Sequence, residues 1–304
     1  MSLLSRIKSP GPSGFGYAST ADQVTDGLDL SSKTILLTGC NSGLGLETLS
    51  VLARRGARVI GTARSQAKAQ AACRGAADYA LPLECDLAEP ASVRQCIARV
   101  KADGLRLDAV ICNAGIMALP ELTRAHGYEL QFFTNHIGHF LLVTSLSSQL
   151  APEGRVVIVS SEAHKNAPKV GIELDNLSGD KGYGAWAAYG QSKLANLLFA
   201  RELAKRLPLP GQRANALHPG VIATNLTRSM PSWMQAGWRA LEPLVLKSIP
   251  EGAATQCYLA VHPRAVENGQ YFADCNVKTS SRLGRDDQLA ARLWEASERI
   301  VREL

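Results

Sequence analysis

Thr34-Ile35-Leu36-Leu37-Thr38-Gly39-Cys40-Asn41-Ser42-Gly43-Leu44-Gly45 decides the fold. Its first residues form a short apolar run without alternation, the pattern of a strand buried on both faces. Glycines follow at 39, 43 and 45, and from Gly43 to Arg55 apolar residues recur at helical spacing (Leu46, Leu49, Leu52, Ala53). Glycines let the backbone turn tightly, and a helix starting near Gly43 aims free N–H groups and its positive dipole end at an anion. The spacing is G-x3-G-x-G rather than G-x-G-x-x-G. The strand before it and the helix after it are the context that a pyrophosphate-binding turn requires. Without a ligand the same stretch is only a glycine-rich strand–helix turn.

Outward from this turn the rhythm continues. Strands are predicted at Arg58 to Thr62, Ala80 to Leu83, Asp108 to Cys112, Arg155 to Ser160, Arg213 to Leu217 and Gln270 to Phe272. Helices are predicted at Val93 to Val100, about Gly127 to Leu150, Trp186 to Arg206, in short pieces across 231–261, and from Asp286 onward. Apolar strands alternating with helices predict an α/β fold: one doubly wound parallel sheet of Rossmann type, with helices on both faces. Residues 1–30, rich in Gly, Ser and Pro, read as an N-terminal arm, and 31–304 as a single domain. A chain of 304 residues that is 46% apolar can build such a core and is not a disordered chain.

The net charge of +6 has no cluster of basic and aromatic residues behind it, so no nucleic-acid partner is expected. Seven cysteines, with no C-x-x-C pair, suggest neither a disulfide framework nor zinc, and a reducing compartment fits best. Histidine spacing gives no metal motif, and His136 with His139 reads as helix packing. The N-terminus lacks the apolar core of a signal peptide. The stretch from Gln131 to Pro152 is free of Asp, Glu, Lys and Arg but too polar for a membrane span. A cytoplasmic protein is expected.

Two ends of a ligand crevice can be read next. At the cofactor end the second strand finishes Gly61-Thr62-Ala63-Arg64. A site for NAD places an acidic residue here to bind the ribose hydroxyls. Arg64 instead offers a cation and a donor fork suited to a 2′-phosphate, which favours NADP(H) over a plain surface arginine. Asp86 and Leu87 follow the third strand, where Asp86 suits either an adenine amino group or a local helix start. Asn113-Ala114-Gly115 ends the fourth strand with small residues over which a cofactor can lie. At the reacting end, Tyr189 and Lys193 stand at i and i+4 on one helix face. A lysine ammonium stabilises a phenolate and lowers the tyrosine pKa, although this spacing is common on helix surfaces. Ser161 ends the buried fifth strand, where such sheets bind ligands. Asn135, in the long helix, is placed to hold a water behind Lys193 or to bond locally.

Together the T-G-x3-G-x-G turn, N-A-G, Asn135, Ser161 and Y-x-x-x-K resemble the short-chain dehydrogenase/reductase superfamily. Thr134 to Leu142, Ser160 to His164, Tyr189 to Asn196, His218 to Val221, Pro250 to Ala254 and Gly269 to Cys275 narrow the likeness to the branch of retinol dehydrogenases and WW-domain oxidoreductases. The resemblance covers roughly residues 13–302. It implies Tyr189 as general acid–base, Lys193 on the nicotinamide ribose, Ser161 on the substrate oxygen and Asn135 in a proton relay. It implies cofactor contacts from Gly39, Asn41, Ser42, Gly43, Leu44 and Gly45, and from Pro219, Gly220 and Val221, with Thr224 on the carboxamide. It implies an enzyme acting on a carbonyl or alcohol, and pairing of chains into a dimer or tetramer through the helices near 127–150 and 187–206. The chain departs from the pattern in its gap of 28 residues between Ser161 and Tyr189, in Cys112 before Asn113, and in lacking the membrane anchor common in retinol dehydrogenases.

Residues 225–250 stand where this family has its substrate lid. Leu226, Met230, Trp233, Met234, Trp238, Leu241, Leu244 and Leu246 suit a mouth for a lipophilic aldehyde or ketone, or simple packing. Two rival readings are a non-catalytic regulator of the same fold and a sugar-nucleotide epimerase or dehydratase. The glycine spacing and the short tail after Gly220 speak against the epimerase.

Overall fold

In the computed structural model, residues 9–76, 78–222 and 246–304 are described. Eight strands form one sheet: β1 Thr34–Thr38, β2 Arg58–Ala63, β3 Ala80–Glu84, β4 Leu107–Cys112, β5 Leu150–Val159, β6 Arg213–His218, β7 Tyr271–Ala273 and β8 Asn276–Val277. Their order is β8-β7-β6-β5-β4-β1-β2-β3. All pair in parallel except β8, which turns back antiparallel on β7. The order reverses between β1 and β4, so a crevice opens at the carboxyl ends of those two strands.

The helices are α1 Ala21–Val24, α2 Gly43–Arg54, α3 Gln66–Cys73, α4 Pro90–Ala102, α5, α6 Ala185–Arg206, α7 Ile249–Val261 and α8 Asp287–Glu303. Helix α5 is composite. It starts as Leu130–Phe132, widens into a π turn over Phe133–Ile137 and continues as Gly138–Leu146. The long predicted helix is therefore shorter at both ends: Ser147–Gln149 tighten into a 3-10 turn and Leu150 opens β5, which bulges against β4 between Leu107 and Ala109.

Alternation along β1 divides the core. Ile35 and Leu37 face Leu49 and Leu52 of α2 and Cys257 and Tyr258 of α7. Leu36 faces the opposite layer, with Val93 and Ile97 of α4, Phe140 of α5, Phe199 of α6 and Trp294 of α8. Leu46 departs from the expected buried stripe of α2 and is 40% exposed.

The described part of the arm is packed rather than loose. Ala21, Val24 and Leu30 enter the core beside α2 and α7. Phe15 packs edge-on against Tyr258, and Asn276 binds Ser13 and Phe15. At the other end of the chain, α8 lies over α5 and α6. Trp294 packs 4.9 Å from Phe140 and 5.9 Å from Phe199, with the Arg206 guanidinium 4.7 Å over its ring. Ser297 hydrogen-bonds His136, and Asp287 pairs with Arg201 and Lys205. Helix α8 thus packs on α5 and α6, the two helices expected to pair with a second chain.

Among the described residues no helix is long and apolar enough to cross a membrane, and no three His, Cys, Asp or Glu side chains converge as metal ligands. All seven cysteines are buried and unpaired.

Candidate active site

The glycine turn after β1 is built by contact. Gly39 has φ +69, and a Cβ there would lie 2.9 Å from Ala114. A Cβ on Gly45 would lie 2.0 Å from the Gly39 carbonyl oxygen. Gly43, at φ +52, faces open space. Ser42 caps α2 without a side-chain hydrogen bond, so the first N–H groups of that helix remain available to an anion. The Thr38 hydroxyl accepts from the N–H groups of Asn113 and Ala114, and the Asn113 amide donates to the carbonyls of Thr38 and Gly39. The turn and the N-A-G segment are therefore one unit across β1 and β4.

Arg64 lies exposed at the end of β2 and makes no ion pair among the described residues. The Asp86 carboxylate accepts from Ala88 N–H, and its backbone N–H donates to Ser92. The Asp86 carboxylate is thus engaged in the turn that leads into α4, whose N-cap is Glu89. The Leu87 carbonyl presses on Gly138, leaving no room for a Cβ there. Asn41 is exposed and Leu44 half-buried at the lip of the turn. Pro219 and Gly220 follow β6, with Gly220 at φ +98, and Val221 is 43% exposed. Thr224 and most of the expected lid lie outside the described residues; Leu246 is buried.

Tyr189, Lys193, Ser161 and Asn135 are brought together at the carboxyl ends of β4 and β5. The Lys193 ammonium stands 5.7 Å from the Tyr189 ring centroid and donates to the Val159 carbonyl at 3.1 Å. Asn196 donates to the same carbonyl, and the Ser160 hydroxyl donates to the Lys193 carbonyl at 2.7 Å. Ser161 follows directly; its oxygen accepts from Ala163 N–H, and its hydroxyl lies within hydrogen-bond reach of the Tyr189 phenol. The Asn135 side chain accepts from Ile116 N–H and donates to the Ile116 carbonyl and to Ser192. A Cβ on Gly115 would meet Asn135 Oδ1 at 3.1 Å and Lys193 Nζ at 3.3 Å, so this glycine keeps the floor open.

Electrostatics here follow burial. Burial holds the Lys193 ammonium down at about 8 and pushes the Tyr189 phenol up to about 12, with the Ser161 hydroxyl working in the opposite direction. The phenol is therefore raised where the lysine spacing led one to expect it lowered: burial dominates, and the Ser161 hydroxyl is what works against it.

Several supporting residues escaped sequence reasoning. The His139 ring links Asn135 O and Thr38 Oγ1, both at 2.9 Å, so it joins the glycine turn to the π turn; burial lowers its pKa to about 4. The i, i+4 spacing of Asn135 and His139 was the available signal. His164 bonds the Ser161 carbonyl through Nδ1 and accepts from Ser281 N–H, fixing the turn after β5. Trp186, 48% exposed, stands edge-on 6.2 Å from Tyr189. A cavity of about 950 Å³ lies between α2, the segment from Ala72 to Tyr79 and the start of α7 at Ile249, and Tyr189 does not line it.

The short chain dehydrogenase family model matches residues 33–235. The chain belongs to this family of oxidoreductases. It is 41% identical to short-chain dehydrogenase TIC 32 A, chloroplastic, of Brassica napus, over 97% of this chain and 96% of that one. It is 37% identical to human retinol dehydrogenase 14, over 90% and 87%. A short-chain dehydrogenase from Burkholderia cenocepacia, solved in complex with NADP, superposes with a TM-score of 0.64 at 25% identity, covering 80% of this chain and 96% of that one. The retinol dehydrogenase-like branch read from the motifs is thus supported by whole-chain relatives.

Proposed function

We propose that this short-chain dehydrogenase is an NADP(H)-dependent reductase of lipophilic aldehydes or ketones, able to run in the alcohol-oxidising direction. The observation that carries the reading is the cluster of Tyr189, Lys193 and Ser161 around one buried strand end, beside an open glycine turn. The cradle suits a dinucleotide. Free N–H groups at the start of α2 would hold the pyrophosphate, Arg64 the 2′-phosphate, Gly115 and Pro219 to Val221 the nicotinamide half, and Lys193 the ribose. Thr224 would add the carboxamide contact. When bound, the nicotinamide supplies or accepts the hydride.

The protein's part is proton management. A phenol held near 12 is protonated at neutral pH, which suits donation from Tyr189 Oη to a carbonyl oxygen. Lys193, near 8, is charged at that pH and favours the phenolate left behind. Ser161 Oγ–H donates to the same substrate oxygen and orients it. Asn135 holds the floor through Ile116 and Ser192 and supports proton return. Trp186 offers an apolar surface beside the phenol, and the human relative is named for retinol, which favours a lipophilic substrate. With α8 packed on α5 and α6, the protein is proposed to be monomeric through that face. Seven buried thiols suit a reducing compartment, the cytoplasm in the simplest case.

NADPH oxidation with a panel of aliphatic and aromatic carbonyls tests the activity. Tyr189→Phe should lower turnover by about 10²–10⁴-fold while leaving NADPH binding intact; equal turnover would sink the mechanism. Arg64→Ala should erase a preference for NADPH over NADH, and an unchanged preference would remove Arg64 from the site.

A further inference from the structure

Beside Gly220 lies a buried cation that none of these roles uses. The Lys247 side chain is 1% exposed. Its ammonium pairs with Asp274 at 2.6 Å and stands 4.8 Å over the ring of Tyr17 from the N-terminal arm. Its methylenes fill the space above Gly220: a Cβ on that glycine would lie 2.6 Å from Lys247 Cδ. The Lys247 backbone N–H donates to the Val221 carbonyl at 2.9 Å, and Ile222 and Lys247 form a parallel bridge. The Ile222 side chain in turn lies against Gly252 of α7.

The partner carboxylate is presented at a conformational cost. Asp274 and Cys275 form the two-residue turn between β7 and β8 with φ +53 and +61, a pair of positions that normally falls to Asn and Gly. Cys275 is held there by donating its N–H to Thr255. A lone buried ammonium is expensive, so the pair with Asp274 fixes where Lys247 sits.

We propose that Lys247, pinned by Asp274 and Tyr17, is a positioning residue that sets the height of the Pro219–Gly220–Val221 segment under the nicotinamide. This rests on the reading of the site as a nicotinamide-dinucleotide site. Lys247 touches Gly220 and Val221, so its effect is confined to the nicotinamide half of the cofactor. The adenosine half, at Arg64 and the glycine turn, is built by β1 and β2, and among the described residues Lys247 meets it only through Ile222, whose side chain shares Gly252 with Leu44.

Binding of NADPH and of adenosine 2′,5′-bisphosphate, which lacks the nicotinamide half, is measured by calorimetry on the full chain. Lys247→Met keeps an unbranched apolar chain over Gly220 and removes the ion pair. It should weaken NADPH by about tenfold and leave the bisphosphate within about twofold. Asp274→Asn should give a smaller loss of the same kind. Asparagine accepts positive φ, so this variant carries the test if Lys247→Met does not fold. Unchanged NADPH affinity, or equal losses for both ligands, would overturn the proposal while leaving the site intact. Wild-type protein that binds neither ligand overturns the dinucleotide reading and this proposal with it.

Discussion

Replacing Lys193 by methionine should make the cofactor-free protein more stable while ending its turnover. Burial holds the ammonium at about 8, against 10.5 for a free lysine. At about 1.4 kcal/mol per pH unit, the folded state at pH 7 bears about 3 kcal/mol for keeping that charge. Methionine removes the charge and keeps an unbranched chain one atom shorter. It also removes the hydrogen bond to the Val159 carbonyl, worth about 1 kcal/mol, but Asn196 still donates to that oxygen, so no buried acceptor is orphaned. The net expectation is a gain of about 2 kcal/mol at pH 7. The sign fixes the pH dependence. Between about 8 and 10.5 the unfolded chain binds the Lys193 proton and the folded chain does not, so wild-type stability rises with pH across this window. The advantage of Lys193→Met should therefore be largest below pH 8 and shrink by pH 9.5. That range stays below the point near 10 where Tyr189 begins to lower stability, since its folded value is pushed up to about 12. Urea unfolding of both proteins at pH 7 and pH 9.5, without nucleotide, measures this. A variant less stable than wild type at pH 7, or a difference that does not narrow at pH 9.5, would refute the argument that burial dominates the lysine.

Three further outcomes follow from packing. Gly45→Ala places a methyl 2.0 Å from the Gly39 carbonyl oxygen, so the turn must shift; a loss of about 1–3 kcal/mol in urea unfolding and weaker NADPH binding are expected. Trp294→Ala should cost about 3–5 kcal/mol, read as a fall in the urea midpoint, because its ring joins Phe140, Phe199 and Arg206. Sedimentation velocity on the wild-type chain should show no self-association that depends on the α5–α6 face. A wild-type dimer that is lost when exposed residues of α5 or α6 are changed to charged ones would contradict that.

The parts of this molecule that chemistry forces into local sequence were readable there. An apolar run, glycines and an apolar-periodic helix marked β1 and its turn, and the Tyr189–Lys193 spacing put two groups on one face before any tertiary contact was known. What escaped depends on neighbours. Helix α3 is half alanine and carries too little periodicity to announce itself. The π turn over Phe133–Ile137 has no sequence mark, because the extra residue is accommodated by Asn135, His139 and Thr38 bonding across two elements. The β7–β8 turn was missed because Asp274 and Cys275 take positive φ without glycine, held from outside by Lys247 and Thr255. The tyrosine pKa went the wrong way for a related reason: the i, i+4 spacing was visible, but burial was not.

The Val159 carbonyl receives both Lys193 and Asn196, the Ser160 hydroxyl returns to the Lys193 backbone, and Ser161 leaves the strand at the next residue. Strand end and helix are laced together by three bonds at two consecutive residues, and Ser161 is the next. Ser161 and Lys193 therefore travel as one body and cannot be retuned separately. A new substrate has to be met by reshaping what surrounds that body, while the distance between its proton-handling groups is inherited unchanged.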